Sequence, residues 1–331
     1  MTRPRVPAAR PLIPAPRVLA DRPRIPVTLG WGIALAAMTA VISGASIFVN
    51  GFAVKQLPDA AVYTTLKNGV AAVLLIALAI GTVPRAQVRV IGRRSWTKMA
   101  VIGIIGGSVP FLLFFSGLAI ASAPAAAFIH KTLFVWVVLL AVPFLGERLG
   151  WFPIAALGVL LVGQILVAPP TGVTWGSGET MILAATLLWA VEVVIARRLL
   201  LGEVPAPVLG AARLGIGLIV LVGFLAVTGK LTIVAGLTAV QWTWALGTGV
   251  LLAAYVGTWL AALRRAPANV VASVLVLGAP ITAVVTSIAN GTLPAPTVLV
   301  GQGVITLAVG VLAVFAVRAG RDGRAAALAD A

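Results

Sequence analysis

Residues 117–149 read GLAIASAPAAAFIHKTLFVWVVLLAVPFLGERL, and this stretch decides the class of the fold. Its apolar part, residues 123–145, would extend roughly 34 Å as a helix with a rise of ~1.5 Å per residue. The hydrocarbon core of a bilayer is about 30 Å thick, so the segment is long enough to cross a membrane. His130 and Lys131 interrupt it, and a cation at that depth is costly unless it faces the protein interior or a water-filled cavity. The stretch therefore predicts a transmembrane helix that carries a polar functional site.

The composition extends this interpretation to the whole chain. Of its 331 residues, 61% are hydrophobic and 10% are charged, whereas soluble domains contain about 25% charged residues. Apolar runs of about 20 residues recur without the period-two alternation of barrel strands, which indicates transmembrane helices. The net charge of +16 lies in short segments beside these runs, so it predicts membrane topology rather than binding to nucleic acid.

Ten apolar segments are predicted to be transmembrane helices. They are residues 27–54, 60–82, 97–119, 123–145, 150–169, 178–197, 205–228, 242–263, 267–290 and 295–317. Residues 1–26 contain seven prolines, six arginines and one acidic residue, which predicts a disordered basic tail close to the membrane surface. Residues 318–331 are predicted to form a second tail.

The distribution of lysine and arginine predicts the orientation. Nineteen of the 24 basic residues lie in the two tails and in the loops on the same side as the tails. On the other side the sequence places only Lys55 and Lys230. The remaining three, Lys67, Lys131 and Arg213, lie within predicted spans. By the positive-inside rule both termini are expected in the cytoplasm.

The chain is predicted to consist of two five-helix repeats, residues 27–169 and 178–317. An Ala-Pro-Ala tripeptide opens the fourth and the ninth span at an offset of 143 residues, and at this offset Lys131 corresponds to Val274. Because five is odd, the second repeat must enter the membrane from the opposite side, which is typical of alternating-access transporters. The predicted fold class is an all-α integral membrane protein with ten transmembrane helices in two inverted-topology repeats.

The sequence resembles the EamA-type branch of the drug/metabolite transporter superfamily over residues 30–317. Short motifs in both halves carry the resemblance. They are Leu66-Lys67, residues 117–124, Pro143-Phe144-Leu145-Gly146-Glu147-Arg148-Leu149, Leu188-Trp189-Ala190, Ala211-Ala212-Arg213 and residues 262–280. One departure from the family pattern is Asn290, which stands at the second-half equivalent of Glu147 at the same offset.

The resemblance implies alternating access around a central cavity formed by both halves, with export or exchange of small metabolites. Within the family the sequence is most similar to amino-acid exporters, including aromatic amino-acid exporters. The implied location is the bacterial inner membrane, and the implied partners are a small-molecule substrate and the lipid bilayer.

Two candidate substrate-binding residues lie in the fourth span. Lys131 could bind a carboxylate or phosphate of the substrate, or its ammonium could reach the outer interface along its apolar stem. His130 is the only histidine of the chain; it could carry a proton, or it could pack as a neutral ring bonded to a backbone carbonyl. The two side chains lie about 100° apart around a helix, so we do not expect them to point at one spot.

Glu192 is a third candidate, because it is an acidic residue inside a predicted span. It could bind a substrate ammonium group or carry a proton, or it could form an ion pair with Arg197 or another helix-end arginine. Lys67 and Arg213 occupy similar places in the two halves, which favours a shared structural role such as bonding to helix-end carbonyls.

Four aromatic residues within spans are candidates for the wall of a cavity: Trp136, Trp189, Tyr255 and Trp259. An aromatic side chain with an N–H or O–H group suits a partly polar cavity, although these residues could also face lipid. Tyr255 and Trp259 are four residues apart and therefore share one helix face.

Several other functions are disfavoured. Because the chain has no cysteine and one histidine, neither a metal nor another cofactor is expected. The spans contain no paired carboxylates and no metal-ligand spacing, which argues against a membrane-embedded enzyme. The sequence also contains no nucleotide-binding motif, so neither an ATP-driven pump nor an associated ATPase subunit is expected. An exporter of apolar cationic drugs stays open as an alternative, because it would use Glu192 and the aromatic residues, although Lys131 would be a liability.

Overall fold

All regular secondary structure in the residues that the structure describes is α-helical. The structure is a computed structural model, and it describes residues 29–121, 123–147, 150–167 and 175–329. Its helices are α1 (Leu29–Gln56), α2 (Ala60–Thr82), α3 (Arg85–Arg89), α4 (Arg93–Ile105), α5 (Val109–Ile120), α6 (Ala123–Lys131), α7 (Leu133–Leu145), α8 (Trp151–Val167), α9 (Ser177–Leu200), α10 (Ala206–Val227), α11 (Leu231–Ala235), α12 (Ala239–Arg265), α13 (Ala268–Leu275), α14 (Gly278–Asn290) and α15 (Pro296–Ala329).

The prediction of an all-α membrane protein is confirmed. Within the described ranges, nine helical segments are long and apolar enough to cross a membrane, and α8 is a further apolar helix of 17 residues. The end of the predicted span 150–169 lies outside the described residues, as do the predicted tail 1–26 and residues 148–149 of the family motif. At the other end of the chain, α15 continues as a helix beyond the predicted span end at residue 317.

Three of the predicted spans are interrupted helices rather than continuous ones. The third is split between α4 and α5, the fourth between α6 and α7, and the ninth between α13 and α14. Pro110 and Pro280 lie in the first turns of α5 and α14, where the proline ring removes a backbone donor and ends the preceding hydrogen-bond ladder. At the middle break the Thr132 hydroxyl donates to the Ile129 carbonyl at 2.6 Å.

The break of the fourth span recurs in the ninth, in a register that differs from the sequence offset, whereas the eighth span is the continuous helix α12. α7 (Leu133–Leu145) and α14 (Gly278–Asn290) have the same length, and both ends of α14 lie 145 residues after those of α7. Two more residues separate the Ala-Pro-Ala tripeptide from the break in the second half, which explains the change from 143. The counterpart of Lys131 is therefore Val276 rather than Val274, and Thr292 rather than Asn290 corresponds to Glu147.

Helices from the first half, α1–α8, pack against helices from the second half, α9–α15. α1 lies along α12 and α14, α2 along α10, α5 along α9, and α8 along α15. At the break between α4 and α5, the backbone of Gly107 packs directly against the backbone of α10. A Cβ on Gly107 would lie 2.1 Å from the Arg213 carbonyl oxygen. Small residues are what such close helix contacts require. The fold thus surrounds a centre that both halves share.

Candidate functional site

A cavity of about 480 Å³ lies between the two halves. Most of its lining side chains are apolar. The described lining residues with polar groups are Ser43, Ser46, Asn50, Lys67, His130, Lys131, Trp189, Glu192, Arg213, Tyr255 and Trp259. Six of the seven residues that the sequence predicts for the site are in this list, and Trp136 is not.

The cavity extends along much of the bundle. On α1 its lining runs from Ser43 to Val54, in the second part of Leu29–Gln56. On α12 the lining runs from Leu252 to Leu263, towards the end of the bundle that holds Arg197 and the end of α12 and is called the basic end below. There the Arg198 guanidinium of α9 donates to the Phe144 carbonyl of α7, which joins the two halves.

Glu192 is held by Arg213, not by the predicted Arg197. The Arg213 Nε donates to Glu192 Oε1 at 2.5 Å and its second nitrogen donates to Oε2 at 3.1 Å. The two side chains are 1% and 4% exposed. A buried pair of this kind compensates two charges that would be costly alone. These two Arg213 nitrogens therefore bind Glu192 and not the helix-end carbonyls that the sequence predicts. Both carboxylate oxygens of Glu192 accept a hydrogen bond from Arg213.

Lys67 lies in a cage of aromatic rings. Its Nζ is 4.8 Å from the ring centre of Phe115, 5.1 Å from Tyr63 and 5.6 Å from Phe111. It also donates to Asn50 Oδ1 at 3.3 Å. Ring faces attract a desolvated cation, so Lys67 can keep its charge in the interior without an acidic partner.

Lys131 has no such arrangement. Among the described residues, no ion pair, hydrogen bond or ring contact holds its Nζ. The ammonium lines the cavity beside Ser43, where α14 begins: a Cβ placed on Gly278 would lie 3.5 Å from Ser43 Oγ and 3.6 Å from Lys131 Nζ. An unpaired cation in an apolar setting favours an anionic partner.

His130 faces a different side of the cavity from Lys131, as their spacing around α6 predicts. Its ring lies 5.0 Å from the ring of Phe114 and 5.2 Å from that of Trp189. Its Nδ1 is buried, and none of the described groups forms a hydrogen bond with it. The described residues therefore do not show the predicted alternative in which Nδ1 of a neutral ring donates to a backbone carbonyl.

Three of the four predicted aromatic residues line the cavity. Trp189 Nε1 donates to the Gly106 carbonyl at 3.2 Å, and Tyr255 stacks on Trp259 with 6.4 Å between ring centres. Trp136 instead donates from Nε1 to Thr132 Oγ1 at 3.1 Å. The residues of α7 that line the cavity are Leu133, Phe134 and Val137, and Trp136 is not one of them.

The sequence interpretation missed the polar face of α1. Ser43, Ser46 and Asn50 all line the cavity, and Asn50 Nδ2 donates to the Ser46 carbonyl at 2.6 Å and to Ser46 Oγ at 2.8 Å. The Tyr63 hydroxyl donates to Asn50 Oδ1. Their spacing of three and four residues on one face of an apolar helix is a signal that could have identified them.

Comparison with known proteins gives the family. The sequence model of the EamA-like transporter family matches residues 30–168 and 176–315. The chain belongs to the EamA-like transporter family. Proteins of this family are membrane transporters of small solutes rather than enzymes, and the two matches cover the two halves that enclose the cavity.

Solved structures support the same fold for this EamA-like chain. One, described as "Crystal structure of protein", is 17% identical in sequence, with a match that covers 86% of this chain and 98% of that chain and a TM-score of 0.70. At this identity the similarity shows the fold alone. A comparison with curated proteins found no match.

Proposed function

We propose that this chain is a secondary transporter that exports amino acids or similar small carboxylate-bearing metabolites across the bacterial inner membrane by alternating access. The observation that carries the proposal is the unpaired ammonium of Lys131 on the wall of the cavity between the halves. A substrate carboxylate would supply its missing partner, in a setting where an ion pair is stronger than in water.

The aromatic side chains of the cavity support a substrate with an apolar carbon chain. The rings of His130, Trp189 and Phe114 contact one another at one side of the cavity. Ring faces and edges contribute large apolar contact areas while their N–H groups give orientation. Lys131 would anchor the carboxylate and these rings would contact the carbon chain.

Export of apolar cationic drugs has less support. That function needs a free acidic group, and of the described residues that line the cavity Glu192 is the acidic one. Its two oxygens are engaged by Arg213. A cationic drug would also meet Lys67 and Lys131 in the same cavity.

The orientation that we propose follows from the loop charges, with both termini and the basic end in the cytoplasm. The contacts of Glu147 with Ala268 and of Arg198 with Phe144, which join the halves, would then lie on the cytoplasmic side. Reporter fusions at the C-terminus test this orientation, and a reporter that is active only outside the cytoplasm would contradict it.

Transport in proteoliposomes tests the function. We expect purified protein to move at least one labelled amino acid from a panel, and Lys131→Ala to reduce that transport to background. Lys131→Arg is also expected to fail, because the planar guanidinium presents its donors in a different geometry. The matched control is Lys55→Ala, which removes an exposed lysine at the end of α1.

Two outcomes would contradict the proposal. If no amino acid and no other small carboxylate is transported by active, correctly inserted protein, the substrate class is wrong. If Lys131→Ala transports as well as the wild type at matched protein levels, the lysine is not the anchor.

A further inference from the structure

The polar face of α1 joins the two lysines of the cavity. Ser43 lies beside the Lys131 ammonium at Gly278, and Asn50 accepts the hydrogen bond from Lys67. Seven residues separate Ser43 from Asn50, which corresponds to about 10 Å along a helix. The Ser46 hydroxyl lies between them on the same face and also lines the cavity.

The charges of the cavity do not balance. Arg213 neutralises Glu192 through two hydrogen bonds. Lys67 is solvated by three rings and one amide oxygen, which carry no net charge, and Lys131 has no described partner. Two cations are therefore left at opposite ends of the α1 polar face, and the lining residues that the structure describes supply no free carboxylate.

We propose that the cavity selects substrates with two acidic groups, one for Lys131 and one for Lys67, and so prefers dicarboxylates such as acidic amino acids to neutral ones. This inference rests on the proposed function and narrows its substrate class. One carboxylate would bind the free ammonium of Lys131 beside the Ser43 hydroxyl, and the second would approach Lys67 past Ser46.

The distances suit a short dicarboxylate. A carboxylate oxygen contacts an ammonium at about 2.8 Å. If the two lysines lie as far apart as the α1 residues beside them, about 10 Å, roughly 5 Å is left between the two carboxylates. A chain with the length of glutamate or glutarate spans this gap.

Zwitterions with one acidic group fit this charge pattern less well. Their net charge is zero, so they would leave the positive charge of the two cations uncompensated, and such charge is costly in a low-dielectric setting. Their single carboxylate would also leave one lysine without an anion. The excess positive charge thus acts as discrimination against neutral amino acids as well as attraction for acidic ones.

Glutamate and glutamine provide the matched test, because they have nearly the same shape and differ by one charge. We expect proteoliposomes with the full chain to transport glutamate at least tenfold faster than glutamine. Lys67→Gln should lower the ratio of glutamate transport to glutamine transport to about one. Lys67→Arg keeps the charge and should retain most of the preference, whereas Lys131→Gln should reduce transport of both.

Equal or faster transport of glutamine by the wild type overturns the inference but leaves the proposed transport of carboxylates intact. A Lys67→Gln protein that keeps the full preference for glutamate overturns it as well. Failure to transport any carboxylate would instead reject the proposed function.

A binding measurement on the wild type covers the case in which Lys67→Gln does not fold. Glutarate and glutaramate have the same carbon chain, and only glutarate has two carboxylates. We expect glutarate to raise the unfolding temperature of the purified protein more than an equal concentration of glutaramate. Equal shifts for the two compounds overturn the inference.

Discussion

Glu147 caps the helix that begins at Ala268, and this contact joins the two halves at the basic end. Oε1 accepts a hydrogen bond of 2.7 Å from the Ala268 N–H, and Oε2 accepts one of 3.1 Å from the Asn269 N–H. A carboxylate at a helix N-terminus satisfies free backbone donors and interacts favourably with the helix dipole. The end of α7 in the first half is thereby fastened to the start of α13 in the second.

We expect Glu147→Ala to make the basic end open more often. Loss of such a cap costs about 1 kcal/mol, which corresponds to roughly a fivefold change in an equilibrium. Because the chain has no cysteine, a single Ala272→Cys on the cavity wall can report the opening. Its rate of modification by a membrane-impermeant maleimide, added at the basic end, should rise about fivefold.

Thr292→Ala is the control for this experiment. Thr292 is the structural counterpart of Glu147 at the opposite end of the bundle, and it follows the left-handed Gly291 as Glu147 follows the left-handed Gly146. The Thr292→Ala change should leave the modification rate unaltered. An unchanged rate in Glu147→Ala would show that the cap does not hold this end closed.

The ion pair of Glu192 and Arg213 predicts a non-additive effect on stability. Removal of one partner leaves a buried unpaired charge, which costs about 3 to 5 kcal/mol, whereas removal of both can be nearly neutral. We expect Arg213→Met and Glu192→Leu each to lower the unfolding temperature in detergent strongly. The double variant should unfold at a higher temperature than either single variant, and additive losses would contradict the coupling.

The membrane segments of the chain could be predicted from sequence because each is a long apolar run, which is a local property. The partner of Glu192 could not be predicted, since it depends on how α9 packs beside α10. Two helix breaks had a local signal in Pro110 and Pro280, whereas the break at Thr132 had none that distinguishes it from a continuous helix.

The candidate site was predictable to the extent that polar residues in apolar spans are unusual. This rule found Lys131, His130 and Glu192, which all line the cavity. The rule did not predict which aromatic residues face the cavity, because Trp136 was predicted to line it and does not. Serine and asparagine were overlooked on α1 because single hydroxyl and amide groups are common in membrane helices; only their shared face sets them apart.

The ion pair of Asp59 and Lys230, at the end opposite the basic one, predicts a dependence of stability on pH. Lys230 Nζ lies 2.7 Å from Asp59 Oδ2. Burial alone would raise the pKa of Asp59, but hydrogen bonds from Lys230 and from the backbone N–H groups of Val62 and Ala61 hold this pKa below its ordinary value of 3.8. The ionised carboxylate thus stabilises the folded state above that value, and the stabilisation is lost as the pH falls through the lowered pKa.

Asp59→Asn isolates this charge, because asparagine can still cap α2. The pair is partly exposed, so we expect the variant to lose less than about 1 kcal/mol at pH 7. The difference in unfolding temperature between wild type and variant should shrink as the pH is lowered towards 3. A difference that does not change with pH would assign the stabilisation to capping alone.

Gly278→Ala should separate stability from transport. The added Cβ would lie 3.4 Å from the Ala40 carbonyl oxygen, 3.5 Å from Ser43 Oγ and 3.6 Å from Lys131 Nζ. These are ordinary contacts, so the fold should accept the methyl group, and the lower entropy of the unfolded chain favours alanine at a helical position by about 0.4 to 1 kcal/mol. The same methyl group would occupy the space next to the ammonium that the substrate carboxylate has to approach.

We therefore expect Gly278→Ala to unfold at the same temperature as the wild type or a higher one, while its transport of carboxylates falls at least tenfold. Gly303→Ala is the matched control, because Gly303 lies on α15 and its Cβ would meet no atom within 4 Å. That variant should keep wild-type transport. Full transport by Gly278→Ala would mean that the carboxylate does not bind between Ser43 and Lys131, and the anchor would have to be sought at the Lys67 end of the cavity.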